Sequence, residues 1–144
     1  MIEQFVDTYL NKETHHDKVG RIGRKEAIKY YQHLLNCNRL NYLFVEEKLV
    51  GYIESFRLDQ DQLRRMFKHG LCIYNEDISD GDILYINNYW TEEEDRETIV
   101  RLLNQELCEI NKGFKLMAWH RESRGRGLQV IEADKIMRKW GVEI

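Results

Sequence analysis

The chain has 144 residues, 42% of them hydrophobic, 33% charged and 11% aromatic, with a net charge of −3. That make-up fits one globular domain, excludes a wholly disordered chain, and supplies no global attraction to nucleic acid or an anionic membrane. No apolar run reaches the ~18–20 residues of a membrane span, and MIEQFVDTYL is too polar for a secretory leader, so a cytoplasmic protein without a membrane partner is expected.

Ile2, Phe5, Val6, Tyr9 and Leu10 fall on one helical stripe and predict a short first helix. NKETHHDKVGRIG is polar and glycine-containing and reads as a loop. RKEAIKYYQHLLN repeats the helical spacing through Ala27, Tyr31, Leu34 and Leu35, and Asn36 and Asn38 end it. NYLFVEEKLVGYIESF then alternates as a hairpin, with strands at 41–46 and 49–57 around a turn at Glu47 and Lys48. Asp59 is placed to cap a third helix, DQDQLRRMFKHG, which Gly70 stops. Between 71 and 80 the pattern is ambiguous: LCIY has the make-up of a short strand and NEDISDGD that of a loop.

Residues 82–90 form the most strand-like stretch. Ile83, Tyr85 and Tyr89 are expected on one face and Leu84, Ile86 and Trp90 on the other, which suits the middle strand of a sheet covered on both sides. Thr91 and Glu94 have the spacing of a capping box. The helix after them runs to about Asn111, with Ile99, Leu102, Leu103, Leu107 and Ile110 facing inward, and Gly113 ends it. FKLMAWHR is a further strand, so a strand–helix–strand crossover between parallel strands is expected. The tail, ESRGRGLQVIEADKIMRKWGVEI, is a basic glycine loop followed by a strand, a helix, or one of each. No repeat, linker or second domain is visible, so residues 1–144 read as one α/β domain.

Cys37, Cys72 and Cys108 are odd in number and form no CxxC pair, the usage of small buried thiols in a reducing compartment. His15, His16, His33, His69 and His120 form no ligand set, so no metal is expected. No Gly-x-Ser-x-Gly, P-loop, His-Glu-x-x-His or dinucleotide fingerprint occurs.

The order of elements, together with "YLFVEEKLVGYIESF" and "GDILYINNYW", resembles the GNAT N-acetyltransferase fold over about residues 1–125, with those two stretches as the family's second-to-third and fourth strands. The resemblance implies a mixed central sheet flanked by helices. It also implies a bulged fourth strand whose backbone N–H polarises an acyl thioester carbonyl, and a following Gln/Arg-x-x-Gly-x-Gly/Ala loop around the coenzyme A pyrophosphate. Here that loop is TEEEDRET. No glycine lies between Gly81 and Gly113 to open a phosphate-binding turn. Glu92, Glu93, Glu94 and Asp95 would each repel a phosphate by ~1 kcal/mol in water, and Arg96 and Arg101 offset little of that. The acids instead suit the positive end of the helix macrodipole. "SDGDILYINN" is also similar to the strand lead-in of the RTX-toxin-activating lysine acyltransferases, which take acyl chains from acyl carrier protein. Their catalytic His–Asp pair would fall on His15 or His16 and on Asn87, and an asparagine cannot orient an imidazole through charge. "AWHRESRGRG" resembles a strand of small GNAT-like proteins common in phages.

Glu54 lies mid-strand in "GYIESF" on the face of Tyr52 and Phe56. It is either a base with a pKa raised by burial or an edge-strand residue facing solvent. His120 ends its strand where open α/β sheets place ligand groups, and is a second candidate base. Asn87 and Asn88 interrupt the central strand, where buried amides need partners: they hold a bulge, contact a substrate, or join a structural network. Tyr89 and Trp90 are core residues or cofactor contacts. Arg121, Arg124 and Arg126, interleaved with Gly125 and Gly127, form either a nucleic-acid or anion contact or a solvated basic turn. "GRIGRKE", with Arg21, Arg24 and Lys25, is a second basic cluster. Two functions therefore stand open. One is transfer of an acyl group from an acyl-CoA or acyl carrier protein thioester to a protein or small-molecule amine. The other is a GNAT-fold binding protein for a protein or nucleic acid, of the phage type.

Overall fold

Helical spacing of apolar residues and a set of period-two strands sort the chain into two helical layers around one sheet. The structure, a computed structural model, describes residues 2–10, 23–69, 81–120 and 127–142. The side chains of 9, 10, 66–69 and 120 lie outside the description. In chain order the elements are α1 (Ile2–Leu10), α2 (Gly23–Asn36), β1 (Leu40–Val45), β2 (Lys48–Leu58), α3 (Gln60–His69), β3 (Ile83–Thr91), α4 (Arg96–Ile110), β4 (Leu116–His120), β5 (Leu128–Glu132) and α5 (Ala133–Trp140). The tail is thus one strand and one helix. The ambiguous stretch 71–80 lies outside the described residues.

The five strands form one sheet in the order β1-β2-β3-β4-β5. All neighbours are antiparallel except β3 and β4, which are parallel and joined by the α4 crossover. β3 is the middle strand, as its two apolar faces require. One face carries Phe5, Val6, Tyr31 and Leu34 of α1 and α2 against Leu40, Tyr52 and Phe56. The other carries Ile99, Leu103 and Leu107 of α4 and Ile136 and Met137 of α5 against Ile53, Leu84 and Met117. Among the described residues no helix is long and apolar enough to cross a membrane.

Local chemistry explains most of the boundaries. Asp59 caps α3 as expected and does so reciprocally: its Oδ1 accepts from the Gln62 N–H at 2.7 Å, and its own N–H donates to Gln62 Oε1 at 3.0 Å. Asn38 adopts φ 60° and closes α2 while the Arg39 N–H donates to the Leu34 carbonyl at 2.8 Å. Asp7 and Arg24 tie α1 to α2 by a 2.6 Å ion pair, which holds the Asp7 carboxyl below its ordinary value.

Three expectations need correction. The capping box from Thr91 does not form: Thr91 ends β3, and the residue before α4 is Asp95, at φ 56° with no side-chain cap bond. The helix therefore starts four residues later than the capping pattern placed it. Leu102 and Ile110 do not face inward; they are 47% and 39% exposed, because a flat sheet covers only the stripe of Ile99, Leu103 and Leu107. The hairpin turn falls on Glu46 and Glu47, at φ 49° and 66°, between Val45 and Lys48. Two left-handed glutamates are a costly way to make a two-residue turn, which favours Asn-Gly. The double variant Glu46→Asn with Glu47→Gly is expected to stabilise the fold by about 1–2 kcal/mol, read as a higher urea midpoint.

Candidate functional site

The site follows from one extra residue in β3. β2 and β3 pair Glu54 with Asn88 and then Ser55 with Ile86, so Asn87 is bulged out of the ladder. The bulge resets the alternation of side chains. Tyr85 packs with the α1/α2 core and Ile86 with the α4/α5 core, but beyond Asn87 the parity reverses and Trp90 joins the α1/α2 side. There it lies opposite Tyr52, ring centroids 6.3 Å apart. The expected grouping of Trp90 with Leu84 and Ile86 is overturned for this reason.

At the same level β3 and β4 part. Their ladder runs from Ile83–Leu116 to Ile86–Trp119 and stops, while His120 continues to pair with Leu128 of β5. Among the described residues no β4 partner faces β3 beyond Ile86, so the backbone groups on that side open into a slot. A pocket of about 930 Å³ occupies it on the α4/α5 side. Asn87, Asn88 and Tyr89 form one wall, Arg96, Arg101 and Asn104 of α4 a second, and Trp119, Ile136, Lys139 and Trp140 the rest. Ile53 and Met117, each 3% exposed, lie at its apolar floor.

The electrostatics of this pocket differ from what the TEEEDRET loop suggests. Glu92 to Asp95 are absent from its walls, where Arg96, Arg101 and Lys139 face one carboxylate, Glu97. Glu92 turns to Lys48 at 2.9 Å, and its hydrogen bond and charge hold Lys48 above the ordinary lysine range. Arg96 donates to the Tyr89 hydroxyl at 2.8 Å and Lys139 lies 5.0 Å over the Trp140 ring, while Arg101 makes no ion pair among the described residues. The Trp140 indole N–H is shielded from water and has no acceptor among the described residues, an unsatisfied donor of the kind that marks a missing partner.

Beneath the bulge, on the α1/α2 side, lies a polar network. Glu54 is only 1% exposed, so the solvent-facing edge position is excluded: β2 lies between β1 and β3. Its Oε1 accepts from the Asn87 Nδ2 at 3.1 Å and from the Tyr30 hydroxyl at 3.3 Å. Asn88 Nδ2 donates to the Tyr52 hydroxyl at 3.3 Å. Asn87 thus belongs both to the pocket wall and to the Glu54 network. Tyr30, Lys139 and Trp140 are not legible as site residues in the sequence. The signal for Tyr30 is indirect, since a buried carboxylate on β2 needs donors from the helix above it.

The other candidates fall elsewhere. The His120 side chain, His15, His16, Arg21 and the Arg121, Arg124 and Arg126 turn lie outside the described residues, as do Cys72 and the Ser79–Asp80 lead-in. Cys108 is fully buried in the α4 core, and burial pushes its thiol up to about 11. Cys37 is half-buried at the end of α2. Among the described residues no three His, Cys, Asp or Glu side chains converge as a metal site would.

No family model and no curated protein matches this sequence. Among solved structures the chain is similar to "GphF GNAT-like decarboxylase in complex with isobutyryl-CoA", with a TM-score of 0.56 at 10% identity, covering 99% of this chain and 68% of that one. The fold is GNAT-like. What the likeness covers is the mixed five-stranded sheet flanked by helices.

Proposed function

We propose that this protein binds an acyl thioester in the slot between β3 and β4 and transfers the acyl group to an amine. The observation that carries this reading is the coincidence of the Asn87 bulge with the end of the β3–β4 ladder. It turns the backbone of the Asn87–Tyr89 segment toward a pocket with cations on one wall and apolar side chains at its floor. Further support comes from the fold neighbour, which is described in complex with isobutyryl-CoA.

In this reading the thioester carbonyl oxygen accepts from the β3 backbone at the bulge, and those donors are fixed where negative charge develops. Arg101 and Lys139 take the anionic part of the donor. The amine approaches from the Glu54 side, its nitrogen bonds to the carbonyl carbon, and the carbon–sulfur bond breaks. The proton lost by the amine passes through the half-buried Tyr30 hydroxyl, 3.3 Å from Glu54 Oε1, to the buried Glu54 carboxylate, and the departing thiolate takes a proton from water. Asn87, held by Glu54, fixes the bulge. His120 is the alternative base, at the end of β4 beside the slot.

Millimolar acetyl- or octanoyl-CoA should raise the Tm. At a hundredfold excess over Kd the gain is ~2.7 kcal/mol, several degrees for a chain of this size. Release of free thiol on adding an amine would complete the assignment. An unchanged Tm with every acyl-CoA at millimolar concentration would contradict the reading.

A further inference from the structure

The lining of the pocket combines apolar side chains and cations, which bears on which acyl group it takes. Its floor is apolar and belongs to the protein core: Ile53 and Met117 are 3% exposed and Ile136 is 5%. Ile86, Val100 and Trp119 extend that apolar lining, and the cations Arg96, Arg101 and Lys139 line the same pocket from α4 and the C-terminal end of α5. At about 930 Å³ the pocket is at the upper end of the ~300–1,000 Å³ range of small-molecule sites. A two-carbon acyl group would leave most of the half-buried apolar wall of Ile86, Val100 and Trp119 in contact with water. Apolar surface left wet contributes nothing, whereas a chain laid along it gains in proportion to the area covered.

We infer that the pocket selects thioesters of medium-length or bulky hydrophobic acyl groups over acetyl, with the chain lying along Ile86, Val100 and Trp119 above the Ile53–Met117–Ile136 floor and the anionic end of the donor at Arg101 and Lys139. This rests on the acyl-thioester reading above and adds the substrate class. Each methylene transferred from water to that wall should strengthen binding about fourfold, the equivalent of ~0.8 kcal/mol. From acetyl to octanoyl, six methylenes, the full increment is roughly three to four thousandfold, and a wall covering part of the chain still predicts about a hundredfold.

The test is calorimetric titration of the intact chain with coenzyme A, acetyl-CoA, hexanoyl-CoA and octanoyl-CoA. The inference predicts a Kd that falls steadily along the series, by about a hundredfold or more between the acetyl and octanoyl esters. Equal, measurable Kd values across the series would overturn the chain-length inference and leave the thioester reading standing. Absence of binding by every ester would remove that reading and this inference with it. A variant makes the placement of the chain testable on its own: Val100 is half-buried on α4, at the pocket wall, so Val100→Trp fills the pocket without opening a core cavity. It should weaken octanoyl-CoA at least tenfold more than acetyl-CoA. Equal weakening of both would place the chain elsewhere and overturn the assignment.

Discussion

Gly51→Val is expected to destabilise the protein by about 3 kcal/mol, seen as a lower urea midpoint. A Cβ at Gly51 would lie 2.9 Å from Ile99 Cγ2 and 2.9 Å from Leu103 Cδ1, with the Trp90 carbonyl oxygen at 3.1 Å. The two side chains belong to the buried stripe of α4, 6% and 1% exposed, and the carbonyl belongs to the neighbouring strand. The two side-chain ends can turn aside only far enough for a methyl group, and the strand carbonyl cannot turn at all. The helix that carries Arg96 and Arg101 sits directly over this position, so displacement of α4 should also widen the slot. Gly51→Ala should show the same effect at smaller size, since Ile99 and Leu103 can rotate to meet a methyl group. A valine variant as stable as the parent would mean that α4 does not rest on β2 at Gly51.

Glu54→Gln is expected to lower the rate of acyl transfer by about a hundredfold or more, the usual contribution of a positioned base, with little change in the KM for the thioester. The separation of effects follows from the two faces of the sheet. The thioester pocket opens on the α4/α5 side, while Glu54 lies among Tyr30, Tyr52 and Asn87 on the α1/α2 side. Glutamine keeps the shape and an acceptor oxygen for Asn87, so the bulge and the pocket should survive while proton acceptance is lost. Tyr30→Phe should fall in the same direction by a similar factor, because it removes the hydroxyl that links the amine to Glu54, while the Glu54–Asn87 bond keeps the bulge in place. A glutamine variant with full activity would reduce Glu54 to a buried structural acceptor and leave His120 as the base.

How far the site can be read from the chain depends on which physical rule governs each residue. β3 is legible as the middle strand because apolar residues on both faces have one stable location. The Asp59 cap and the Asn38 stop are legible because they act within four residues of sequence. A bulge is one of the alternatives open to Asn87 and Asn88, but its effect on Trp90 is not visible in the pattern: alternation is a local rule, and one inserted residue reverses it for the rest of the strand. The burial of Glu54 is equally hidden. Whether β2 is an edge or an inner strand is decided by pairing with β3, some thirty residues away in the chain.

The acidic loop misleads for a different reason. Its sequence places charge near a motif, whereas the structure turns Glu92 back to Lys48 and brings Lys139 from the far end of the chain to the pocket wall. Spatial convergence of Arg96, Arg101 and Lys139 leaves no mark in local sequence.

The most direct test is a titration of the isotopically labelled protein with octanoyl-CoA followed by backbone amide resonances. The largest shifts should fall on Asn87, Asn88 and Tyr89, together with the indole N–H groups of Trp119 and Trp140. Shifts confined to residues away from the β3–β4 slot, or none at saturating ligand, would contradict the assignment of that slot as the acyl-thioester site.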